Sequence, residues 1–129
     1  MKMNSYVKWA LRIVVAIILL QTLRFKFTAH PDSVYIFTRI GMEPLGRILI
    51  GVIELIAGIL ILIPRTTWMG AILALGVLSG AIVIHLTILG IDVKGDGGLL
   101  FYTAIFTWIM TVSLLFIERK NIPIIGEKL

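Results

Sequence analysis

Long uninterrupted apolar runs constrain this chain more than any other feature. Between Ile48 and Ile63 every residue is Ile, Leu, Val, Ala or Gly except Glu54. Such a run is too long for a strand and lacks the polar face of a helix on a soluble domain. Comparable runs extend from about Val7 to Leu23, Gly46 to Ile63, Trp68 to Gly90 and Leu99 to Ile117. About 18 or more apolar residues cross the hydrocarbon core of a bilayer. With 59% hydrophobic residues and a mean hydropathy of +1.05, the chain reads as an integral membrane protein whose first partner is the lipid bilayer. Backbone in lipid must satisfy its own hydrogen bonds, so spans of this kind are helices. The sequence predicts an all-α integral membrane four-helix bundle forming one domain over residues 1–129.

The connections differ in length. Pro64 to Thr67 leaves a very short turn between the second and third spans, and the Gly-rich DVKGDGG, Asp92 to Gly98, joins the third to the fourth. The stretch from Phe25 to Leu45 is longer and less apolar. Pro31, Asp32 and Ser33 open it like a helix N-terminus, and Val34, Tyr35, Ile36, Phe37 and Ile40 predict a short interfacial helix. No small-x-small cleavage site follows the first span, where the chain reads QTLRFKF. The first span is therefore expected to stay as a helix and not to be removed as a signal peptide.

Four spans place both termini on one side. That side carries Lys2, Lys8, Arg12, Arg65, Arg119, Lys120 and Lys128 against Glu118 and Glu127. The other carries Arg24, Lys26, Arg39, Arg47 and Lys94 against Asp32, Glu43, Asp92 and Asp96. The excess of basic residues near the termini predicts cytoplasmic termini. The net charge of +5 fits anionic head groups and gives no sign of nucleic acid. Because the chain has no cysteine, thiol–disulfide chemistry, iron–sulfur clusters and thiolate-bound metals are excluded.

Ionisable groups inside a membrane are functional candidates by default, because inserting them is costly. Glu54 costs roughly 2.5–3.5 kcal/mol at mid-span, while the Ile, Leu and Val residues between Ile48 and Ile63 return about 4–7 kcal/mol together. The second span therefore inserts despite its carboxylate. Gly51, Ala57 and Gly58 share a helical face with Glu54, and Arg47 lies two turns back on it. Small residues around a polar one mark a face pressed against another helix, so Glu54 is expected to look inward. His85 shares its face with Ala71, Ala74 and Ala81, while Gly76 and Gly80 lie on the opposite one. Small residues on two sides predict a central position for the third span.

A rise of about 1.5 Å per residue puts Glu54 roughly 12 Å, and His85 roughly 7 Å, from the boundary opposite the termini. Gln21 and Arg47 fall near that boundary. Gln21, Arg47, Glu54 and His85 are thus the candidate ligand-binding set, forming a polar pocket whose mouth Lys26 could reach. Arg12 is on the face of the first span opposite Gln21, so with Gln21 inside, Arg12 tilts toward lipid or a partner and can snorkel to the head groups. Plainer roles stand beside these. Glu54 could form a structural pair with Arg47, and His85 could simply bond between helices. Gln21 could be structural too, and the Asp92–Asp96 turn a solvated loop. No metal-ligand spacing, nucleophile elbow or phosphate loop occurs, and no catalytic residue is assigned.

The Gly51-x-x-Glu54-Leu55 core, the IPRT turn at Ile63 to Thr66 and the GAI before His85 resemble the DoxX-like family of small bacterial membrane proteins. The resemblance implies a four-helix bundle in the bacterial cytoplasmic (inner) membrane. It also implies an association with quinol oxidase, thiosulfate:quinone oxidoreduction or redox-stress complexes. On that basis the chain is expected to be an accessory component of a membrane redox system, with redox enzyme subunits as partners and a quinone as ligand. His85 would meet a quinone carbonyl and Glu54 would hold a proton. Independent oxidoreductase activity would require a bound cofactor. The alternatives are a structural or homo-oligomeric scaffold without ligand and, last, a small proton-coupled transporter, for which no inverted repeat is evident.

Overall fold

A computed structural model describes residues 2–123 and 126–128, with the side chains of residues 2–4 and of Glu127 left out. Lys2 and Glu127, both counted in the charge balance, therefore lie outside the described side chains. Among the described residues the fold is helical and without strands. The helices are α1 (Lys2–Gln21), α2 (Leu23–Phe27), α3 (Pro31–Arg39), α4 (Leu45–Leu62), α5 (Thr67–Ile84) and α6 (Leu99–Ile117). A π-helical turn, His85–Leu89, extends α5.

Four stretches are long and apolar enough to cross a membrane: Ser5–Phe27, Leu45–Leu62, Thr67–Leu89 and Leu99–Ile117. The last three match the expected spans closely. The first is longer than expected, because helix continues to Phe27 where a loop was expected from Phe25. The joint is Thr22, whose hydroxyl donates to the Leu19 carbonyl at 2.9 Å. A hydroxyl turned back onto the preceding turn bends a helix without ending it. The interfacial helix forms as α3. Pro31 occupies its first turn, where a missing N–H costs nothing, and His30 Nδ1 accepts from Asp32 N at 3.1 Å.

The spans form a ring in which α4 packs on α1 and α5, and α6 packs on α5 and α1. Val15, Ala16 and Leu19 of α1, Ala57 and Ile61 of α4, Ala74 and Leu78 of α5 and Leu114 of α6 fill its centre. Large apolar side chains such as Ile17 and Phe116 point outward, as lipid permits. Because lipid tails are as apolar as leucine, hydrophobicity does not drive these helices together; close packing and polar contacts do. At Gly70 a Cβ would fall 2.6 Å from the Ala57 carbonyl oxygen, so α5 crosses α4 backbone to backbone. The Thr67 hydroxyl donates to Ile61 O and that of Thr66 to Leu60 O, both at 2.9 Å. These bonds serve carbonyls at the end of α4 and fix the short turn.

One expectation is corrected. The Ala71 and Ala74 face of α5 is buried, but Gly76 and Gly80 have nothing within 4 Å of a built Cβ. One small-residue face is used and the other stands open, so α5 is a side of the ring and not its centre. The Asp92–Gly98 turn is built by its own carboxylates. Asp96 Oδ1 accepts from Val93 N at 3.0 Å and Gly98 N at 2.8 Å, and its Oδ2 accepts from Leu100 N at 3.2 Å.

Candidate functional site

The inward stripe of α4 contains Arg47, Gly51, Glu54, Ala57, Gly58 and Ile61, all buried. Gly51 leaves room for the Phe27 ring, which a Cβ there would meet at 2.7 Å. That contact lays α2 along α4 and delivers Lys26 to Glu54. Lys26 Nζ stands 2.8 Å from Glu54 Oε1, with the two side chains 15% and 9% exposed. The contact is an ion pair between two largely buried charges. Lys26 Nζ also donates to the Thr22 hydroxyl at 3.3 Å.

Arg47 is buried beside this pair without joining it. Its Nε donates to both carboxylate oxygens of Glu43 at 3.0 Å, and its Nη1 donates to the Lys26 carbonyl. The pairing of Arg47 with Glu54 that the shared face suggested is therefore replaced by two pairs, Lys26–Glu54 and Glu43–Arg47, joined through Lys26 backbone. A loop residue one turn before Arg47 was nearer than the carboxylate two turns after it. A shallow open groove of about 410 Å³ lies at the same end, lined by Gly41 to Gly46 and Leu49, and reaches this network at Glu43.

His85 is buried where α5 becomes the π turn. Its Nδ1 lies 3.0 Å from the Gly90 carbonyl oxygen, and its ring packs edge-on to Phe101 with centroids 5.5 Å apart. A carbonyl only accepts, so Nδ1 carries the proton and Nε2 presents a lone pair in the neutral ring. Among the described residues no hydrogen bond or ion pair links His85 to Glu54. Gln21 is exposed on the outside of the bundle and does not join the set.

The outward position of Gln21 turns Arg12 inward. The buried stripe of α1 runs Arg12, Val15, Ala16, Leu19, a helical i, i+3, i+4, i+7 series that Leu23 of α2 continues, and Gln21 falls off it. Arg12 thus faces the interior and does not snorkel. Its Nη2 donates to Glu118 Oε1 at 2.9 Å, Lys8 Nζ approaches that oxygen at 3.6 Å, and Trp9 covers the guanidinium with its centroid 4.7 Å away. Glu118 is 1% exposed, and Asn121 Nδ2 donates to its other oxygen. The apolar positions around Arg12 place it on the inner face. Nothing local to Glu118 marks it.

The DoxX family model matches residues 7–87, more than half of the chain, and the chain belongs to the DoxX family. The matched region runs from α1 into the π turn and includes Lys26, Arg47, Glu54 and His85. No curated protein matches the chain, and no solved structure does.

Proposed function

We propose that this DoxX-family protein is an accessory component of a membrane redox system in the bacterial cytoplasmic membrane, with cytoplasmic termini, and that it holds a quinone-like lipophile at the Lys26–Glu54 pair. The observation that carries the reading is the pair itself. It is a largely buried ammonium and carboxylate, 2.8 Å apart, at the membrane end opposite the termini. A charged pair taken out of water is costly unless further polar partners meet it, and it suits a ligand with carbonyl or hydroxyl groups.

The donor set fits a quinone and its reduced form. Lys26 Nζ offers hydrogen bonds to a carbonyl, and Glu54 Oε1 accepts one from a hydroxyl. With Nδ1 donating to Gly90 O, Nε2 of His85 suits a quinol hydroxyl when it carries no proton and a quinone carbonyl when it does. Arg47 contributes by holding the Lys26 backbone in place, and Gln21 has no part. A bound quinone would supply the electron chemistry; the chain supplies polar contacts, a proton site and exclusion of water. Native mass spectrometry of the protein released from its own membrane in mild detergent tests this. A retained lipophile of quinone mass is expected, and it should disappear when Lys26→Met and Glu54→Gln are combined. A chain that never carries a small molecule refutes the reading.

The second reading is a scaffold that binds protein and no ligand. The engagement of Glu43 with Arg47 and of Glu118 with Arg12 by other protein groups favours it, as does the open Gly76 and Gly80 face. Retention of a defined protein partner without any small molecule would select it.

A further inference from the structure

We propose that α3 is a hinged lid over the membrane end between Glu54 and His85, and that its opening controls entry to the Lys26–Glu54 pair. α3 touches α2, α4 and the π turn. It therefore bridges the helices that hold the ion pair and the segment that begins at His85. Phe37 is the one fully buried large side chain of α3, with Val34, Tyr35 and Ile36 half-buried, so its apolar hold is shallower than that of the spans.

Its other fastenings are polar and near the surface. Asp32 pairs with Lys94 at 3.0 Å, with the side chains 60% and 43% exposed. Arg39 Nη2 donates to the Ile88 carbonyl and its Nη1 to the Tyr35 hydroxyl, each at 3.0 Å. The Ile88 carbonyl is available because the π turn ends the third span there. Carbonyls in a last helical turn lack a partner within the helix, and a cation at that end also suits the helix dipole. Arg39 is thus a cap supplied by another element, and it can be withdrawn.

Both ends of α3 carry joints. Ala29 has φ of +55° and Gly41 has φ of +74°, with nothing within 4 Å of a built Cβ at Gly41. A few residues at the ends of an element absorb the backbone change when a lid moves. Exposed pairs such as Asp32–Lys94 contribute little, whereas Lys26–Glu54 and Arg47 to the Lys26 carbonyl are buried. The lid opens at α3 while α2 stays on α4. Its service as a gate rests on the reading of Lys26–Glu54 as a lipophile site; the movement itself does not.

The chain has no cysteine, so Ser33→Cys places a single near-isosteric thiol on the underside of α3, at a position 7% exposed. The rate of its labelling by a charged maleimide in nanodiscs is compared with and without Arg39→Ala and Lys94→Ala. Labelling roughly 3- to 10-fold faster without the two fastenings is expected, from what exposed contacts are worth. Ala74→Cys, at a fully buried core position, serves as the control and should stay unlabelled in both backgrounds. An unchanged rate at position 33 overturns the lid. Equal acceleration at position 74 overturns it too, because the whole bundle would then be loosening. No ligand enters this assay, so its failure is separate from a failure to retain a lipophile.

Discussion

Arg12 and Glu118, 106 residues apart in sequence, meet at 2.9 Å in the interior and fasten the first span to the end of the last. Removing one member of a buried pair leaves an uncompensated charge, which typically costs 3–5 kcal/mol. Lys8 lies nearby but is one-third exposed, so it can turn to water while Arg12 cannot. Glu118→Gln should therefore lower the thermal midpoint in nanodiscs far more than Lys8→Ala. Equal effects would mean that the pair does not close the ring.

The Lys26–Glu54 pair makes a different demand, because a binding role and a structural role both predict that Glu54→Gln does harm. A double-mutant cycle separates them. Glu54→Gln alone strands an ammonium that is only 15% exposed, so stability should fall by about 1–3 kcal/mol. Adding Lys26→Met removes the stranded charge and should recover most of that loss. Lipophile retention should stay absent in the recovered double variant. Recovery of stability together with full retention would strip the pair of its binding role.

The bundle was legible because lipid demands long apolar helices, and three of the four spans end where their apolar runs end. Glu54 was placed correctly by the small residues around it. Its partner was not, since helical spacing on α4 speaks only of Arg47, whereas Lys26 arrives through a bend at Thr22 that no apolar pattern records. The choice between Arg12 and Gln21 was visible on α1, and the apolar register at Val15, Ala16 and Leu19 decides it. Glu118 was hidden, because a carboxylate just past the end of a span looks the same in sequence whether it meets water or a buried arginine.

Gly70 sits where α5 touches α4 backbone, with a Cβ there falling 2.6 Å from Ala57 O and 2.7 Å from Ile61 N. Backbone cannot give way as a flexible side chain can. Gly70→Ala should cost about 1–3 kcal/mol, in the range of overpacked cores. Gly76→Ala on the same helix meets nothing and should be neutral or slightly stabilising, from the better helix propensity of alanine. Parallel thermal melts of the two variants check this, and similar losses at both would contradict the crossing.

Asp96 starts α6 from outside the span. Desolvation pushes its carboxyl up, but the N–H groups of Val93, Gly98 and Leu100, with the nearby His85, outweigh that and hold it below the ordinary carboxylate range. A lowered folded value contributes stability that is present above the unfolded value of about 3.9 and is lost as pH falls through the folded value. Asp96→Ala should cost about 1 kcal/mol, as loss of a helix cap does. Asp96→Asn keeps an acceptor oxygen but not the charge, so its smaller deficit should be constant above about pH 5 and shrink on acidification below that. A deficit that grows toward acid would reverse the assignment.

His85 joins two questions, since its Nδ1 serves the fold and its Nε2 is the ring atom left for the proposed ligand. The bond from Nδ1 to Gly90 O ties the ring to the end of the π turn, where the backbone turns through Gly90 with φ of +80°. Asparagine places an amide N–H close to where Nδ1 stands, while glutamine reaches toward the Nε2 position. His85→Asn should therefore preserve most of the thermal stability and lose the distal acceptor, and His85→Gln should do the reverse. If ligand retention survives His85→Asn intact, the histidine serves only the turn. If it survives only in His85→Gln, the distal acceptor is what the ligand meets, and the proton on Nδ1 is what holds the ring in place to be met.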